Sequence, residues 1–136
     1  MKELKLLFKN IQNQLLVIDL VSDSFFEDLF VFAKEFNMLF NKQELTSEEL
    51  NEINEFTTEM LDSFQDLHIS PLTRKKRELD MDLYGKAVSA MIGSCMFNKS
   101  LMQDQGRTIE NFLLVENLYK IEKLLSNSLY AGVRGY

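Results

Sequence analysis

Leu4, Phe8, Ile11, Leu15 and Ile18 step through the first twenty residues by four, three, four and three, the spacing that sets side chains on one face of an α-helix. The same stepping returns at Leu50, Ile53, Phe56, Met60, Phe64 and Leu67, and again at Leu114, Leu118, Ile121 and Leu125. Sheets need alternation and frequent turns, yet Val, Ile and Thr hardly alternate here, and 136 residues hold five Gly and one Pro. The chain is therefore expected to be all-α, a single domain over residues 1–136 built as a bundle of about five antiparallel helices.

Punctuation places the helices. The first is expected over about Lys2 to Leu20. Ser24 followed by Glu27, and Thr46 followed by Glu49, are capping-box signatures that open the second and third. The second should reach about Phe40 and the third about His68. Ser70 before Pro71 opens a long fourth helix running to about Gln103, expected to kink or break near Gly85, Gly93 or Asn98, with Gly106 as its stop. Thr108 caps the fifth, and the glycines of "YAGVRGY" predict a frayed tail over 131–136.

Hydrophobic residues at 46% supply one core, and charged residues at 26% supply a polar surface. No apolar run approaches the roughly 20 residues that cross a bilayer, and "MKELKLLFKN" lacks the long apolar stretch of a signal peptide. A single cysteine, Cys95, cannot form an intramolecular disulfide. These features place the protein, as an expectation, in the cytoplasm and away from membranes.

Charge is segregated along the chain. Residues 43–73 carry −8 with no Lys or Arg, against −1 for residues 1–42 and +3 for residues 74–136, which makes the net −6. Within the acidic segment Glu48, Glu52, Glu55, Glu59, Asp62 and Asp66 follow one another by four, three, four, three and four. They form a narrow stripe away from the apolar row of their helix, the pattern of a solvated face. Such a row can also steer a basic partner. "EELNE" at 48–52 and "EMLD" at 59–62 resemble the E-E-x-x-E and E-x-x-D elements of the all-α nucleoside triphosphate pyrophosphohydrolases, a likeness that would imply magnesium held by these acids. In that family the two elements face one another from different helices, whereas Glu52 and Glu59 fall on one.

Arg74, Lys75, Lys76 and Arg77 follow directly. Four cations at a helix start oppose the helix dipole, so they answer nearby acids or contact a phosphate or acidic partner. As a sole nucleic-acid surface on a −6 chain they are few, because that affinity comes from several neutralised phosphates.

Catalytic chemistry has little to build on. His68 is the one imidazole, Cys95 sits in the apolar "AMIGSCMF", and no Gly-rich phosphate loop, H-E-x-x-H or G-x-S-x-G occurs. No cofactor or metal is expected. Two helices stand out instead. The second carries Phe25, Phe26, Phe30, Phe32, Phe36 and Phe40 with Val31 and Met38 on the other side; the fourth mixes Gly85, Ser89 and Gly93 with Met96. Phe26, Phe30, Val31, Met38, Gly85, Ser89, Gly93 and Met96 are the candidate interface residues, because a small chain has limited interior in which to hide both helices. The expected function is non-enzymatic: a small regulator, inhibitor or assembly chaperone that docks helix faces on a protein partner, as a homodimer. The alternatives are a nucleic-acid-associated regulator using Arg74 to Arg77, and the magnesium-dependent pyrophosphohydrolase.

Overall fold

Residues 2–15, 23–38, 46–69, 81–104 and 109–134 are described in a computed structural model of the chain. They form five helices: α1 (Lys2–Leu15), α2 (Asp23–Phe36), α3 (Ser47–Ile69), α4 (Met81–Asp104) and α5 (Ile109–Arg134). Among the described residues there is no strand, and no helix is long and apolar enough to cross a membrane.

The inward rows are those the spacing predicts. Leu4, Phe8 and Ile11 of α1, Leu50, Ile53, Phe56, Met60 and Phe64 of α3, and Leu114, Leu118, Ile121 and Leu125 of α5 are all buried in one core cluster. Ile18 and Phe40 lie outside the described residues, as do the side chains of Leu15 and Leu67. Phe8 joins three helices, its ring 5.4 Å from Phe32 of α2 and 5.5 and 5.6 Å from Phe56 and Phe64 of α3. Edge contacts of this kind add about 0.5–1.5 kcal/mol beyond area burial.

The principal packings close a ring. α1 lies against α2 and α3, α2 against α4, α4 against α5, and α5 against α3. Helix directions follow from the contacts. Phe8 meets Phe32 while Gln14 reaches Asp28, so α1 and α2 run antiparallel. Lys5 meets Glu52 and Gln12 meets Glu59, so α1 and α3 run the same way. Phe26 meets Tyr84 and Asn98 meets Phe36, so α2 and α4 also run the same way. Lys99 meets Glu122 while Gln103 lies by Phe112, so α4 and α5 run antiparallel. Successive helices thus alternate in direction, as short connections predict, while the three lateral pairings, α1 with α3, α2 with α4 and α3 with α5, are parallel.

Thr46 and Glu49 form the predicted capping box: the Glu49 amide donates to Thr46 Oγ1 at 3.1 Å and the Thr46 amide to Glu49 Oε1 at 3.2 Å. The second expected box is not the start of α2. That helix is already under way at Asp23, which puts Ser24 inside it. α2 also ends at Phe36, earlier than expected: the Met38 amide turns back to the Glu35 carbonyl at 3.1 Å, a tighter bond that closes the last turn. α4 runs unbroken through Gly85, Gly93 and Asn98, so no break occurs there, and α5 is helical to Arg134, into the stretch expected to fray. The expected start of the fourth helix at Ser70 and Pro71, with Gly106 and the cap Thr108, lies outside the described residues.

Candidate functional site

α4 turns two unlike faces outward and inward. Tyr84, Ala87, Val88, Met91, Cys95 and Met102 enter the core, while Ser89, Gly93, Met96, Phe97, Ser100 and Gln103 are exposed. None of those six exposed residues is charged; among the described side chains the exposed charges of α4, Asp82 and Lys86, lie in its first two turns. From Ala87 to Gln103 the one charge is Lys99, and it turns sideways to α5, where its ammonium sits 3.0 Å from Glu122 Oε1 and 5.2 Å from the centre of the Tyr119 ring. A solvent-facing run this long without charge is unusual in a chain where charge is plentiful.

α5 extends the same surface. Phe112, Val115 and Tyr119, three and four residues apart, share the flank of α5 that meets α4, and with Lys99, Gln103 and Glu116 they line an open depression of about 290 Å³ between the two helices. Phe112 is 67% exposed, Tyr119 47%, Met96 52% and Phe97 47%. Scattered exposed apolar residues need no explanation, but neighbouring ones that together form a patch mark interaction surfaces.

The candidates of α2 divide. Phe26 is fully buried against Tyr84, ring centres 5.1 Å apart, and belongs to the core. Phe30 is half-buried, with the ammonium groups of Lys34 and Lys86 at 4.5 and 4.7 Å from its ring centre. Val31 and Met38 are exposed. On α4, Gly85 is half-buried, and a Cβ built on either Gly85 or Gly93 would meet nothing within 4 Å. Among the described residues nothing makes use of the close approach that these glycines permit.

The acid stripe is split by α1. Glu52 accepts from Lys5 Nζ at 2.7 Å and Glu59 from Gln12 Nε2 at 2.9 Å, whereas Glu48, Glu55 and Asp62 point to solvent. Among the described residues no three of these acids converge on one point. The side chains of Asp66 and His68 lie outside the described residues, as do Arg74, Lys75, Lys76 and Arg77. Cys95 is a buried free thiol whose pKa burial pushes far above the ordinary 9.0, with the charge of Glu122 adding to the shift and Lys99 opposing it. A protonated, inaccessible thiol is a poor nucleophile.

Of the sequence candidates Ser89, Gly93 and Met96 lie exposed on α4, while the exposed Phe97, Phe112 and Tyr119 were not among the candidates. Two signals pointed to them: the lone charge between residues 87 and 103, and a second apolar row on α5 offset from the Leu114 row. Comparison of the chain with protein-family models, with curated proteins and with solved structures finds no match.

Proposed function

We propose that this protein is a non-enzymatic interaction module that docks the outer face of α4 and the adjoining flank of α5 on another protein chain. It would act as a small regulator, inhibitor or assembly chaperone, by occlusion or scaffolding. The observation that carries the reading is the exposure of Met96 and Phe97 on a face of α4 whose exposed residues from Ser89 to Gln103 are uncharged, together with that of Phe112 and Tyr119 on the flank of α5 that meets α4. Large apolar side chains surrounded by neutral ones are the usual make-up of an interface core, where charged groups are depleted and aromatic residues and Met enriched. A handful of such residues commonly carries most of the binding energy. Fixed helices present them, so little ordering entropy opposes docking.

The test begins with the protein that co-purifies with the tagged chain, then repeats binding with both components pure. Met96→Lys with Phe112→Lys should weaken that complex at least tenfold in calorimetric titration, while Glu55→Gln with Asp62→Asn leaves it unchanged. Loss of binding in the α3 variant alone would move the function to the acid stripe and defeat the proposal.

A further inference from the structure

Resting on that reading, we infer that the exposed face of α4 is covered by a second copy of this chain, the two α4 helices packing antiparallel about a two-fold axis at Gly93. Charge decides first. In a two-fold interface each copy presents the same patch, so a charged face meets its own sign. The acidic face of α3 cannot pair with itself for that reason, whereas Ser89, Gly93, Met96, Phe97, Ser100 and Gln103 bring no charge to be repelled, and the exposed Lys86, seven residues before Gly93, falls at the level of the neutral Ser100 of the copy.

Shape decides next. Along this face small residues come first and large ones follow within about one turn: Ser89 and Gly93, then Met96 and Phe97. A two-fold axis at Gly93 inverts that order in the second copy. Phe97, four residues beyond the axis, then lies over Ser89 of the copy, four residues before it, and Met96 lies over Ala90. The same contacts repeat by symmetry. Gly93 faces its own equivalent, and because a Cβ there would meet nothing within 4 Å, the space above it is open to a second backbone. Helix axes can then approach to the short end of the usual range of about 8–10 Å.

The large exposed side chains supply about half the area of a stable dimer. With about 150–250 Å² in each side chain of this size, exposures of 47–67% over Met96, Phe97, Phe112 and Tyr119 amount to roughly 320–530 Å². A stable interface needs about 800 Å² from each partner, and Ser89, Gly93, Ser100 and Gln103 on the same face contribute toward the remainder.

Light scattering on the wild type should give twice the 15.9 kDa of the chain. Phe97→Glu should weaken that dimer at least tenfold while the helical circular dichroism is retained. Gly93→Cys should form an intermolecular disulfide under mild oxidation, and Ser100→Cys, seven residues off the axis, should not; Cys95 stays buried in all of them. A wild-type mass of one chain up to hundreds of micromolar would overturn the self-pairing, and so would a dimer that survives Phe97→Glu or a Gly93→Cys disulfide that forms no faster than the Ser100→Cys one. The docking reading then stands or falls separately, on the titration with the purified partner.

Discussion

One turn apart on α4, Ser94 and Asn98 reach across to the end of α2. Ser94 Oγ donates to the Ala33 carbonyl at 2.7 Å, and Asn98 Nδ2 to the Phe36 carbonyl at 2.8 Å. The two bonds differ in what they replace. The Ala33 carbonyl already accepts from the Asn37 amide at 2.9 Å, so losing Ser94 leaves it satisfied. The Phe36 carbonyl ends the helix and, among the described residues, has Asn98 as its donor, in a buried setting where an unpaired group costs about 1–3 kcal/mol. Asn98→Ala should therefore destabilise by roughly 1–3 kcal/mol in urea unfolding and Ser94→Ala by less than about 1 kcal/mol; the reverse order would contradict this account. Next to them, Cys95 ties stability to pH. Its folded pKa is raised, so above the ordinary 9.0 the unfolded chain releases a proton that the folded chain keeps. The stability it contributes is complete below that pH and declines above it by up to about 1.4 kcal/mol per unit. Measured at pH 7 and pH 10.5, wild type should lose more stability than Cys95→Ala, and equal losses would show that the buried thiol does not titrate with unfolding.

Gly85 and Gly93 sit inside an unbroken helix of 24 residues, and among the described residues nothing packs against the place of their missing Cβ. Glycine in a helix interior costs roughly 0.5–1 kcal/mol relative to alanine, through the freedom it loses on folding. Gly85→Ala should thus raise stability by about that amount in thermal unfolding, because the added methyl has room. A loss would mean that α4 has a neighbour at this position. The periodic apolar rows of α1, α3 and α5 were legible in the sequence because burial on a helix is written into spacing alone. Thr46 and Glu49 were legible because a capping box is a local contract over four residues. The start of α2 was not, since Ser24 and Glu27 satisfy the same pattern although Asp23, the residue before Ser24, is already helical. Nor was the parallel seating of α4 beside α2, which depends on Ser94 and Asn98 meeting carbonyls about sixty residues away. The candidate site was half legible: small residues and Met96 stood out by composition, while Phe112 and Tyr119 join the surface only once α5 lies against α4.

Across the whole molecule the ring order keeps the two unusual faces apart. α3 touches α1 and α5, α4 touches α2 and α5, and neither packs substantially on the other, so the acidic face and the uncharged face act independently. Two copies at −6 each repel at long range even when their contact patches are neutral. A Debye length of about 10 Å at 0.1 M salt shortens that repulsion, so self-association through α4 should tighten as NaCl rises. Pairing through the acid stripe and a basic partner would weaken instead. The stripe itself makes a separate prediction. Glu52 and Glu59 already turn toward Lys5 and Gln12 of α1, and among the described residues no cluster of carboxylates is left to crowd around an ion. Glu59→Gln should change stability by less than about 0.5 kcal/mol, as surface substitutions do, and Glu52→Gln by less than about 1 kcal/mol, the range of an exposed ion pair. Millimolar Mg²⁺ should shift the melting temperature no further than NaCl of equal ionic strength, because screening is then the whole effect. A divalent-specific rise that disappears in both variants would mean that the carboxylates leave α1 to bind metal, since only a ligand held by the folded state stabilises it in this way.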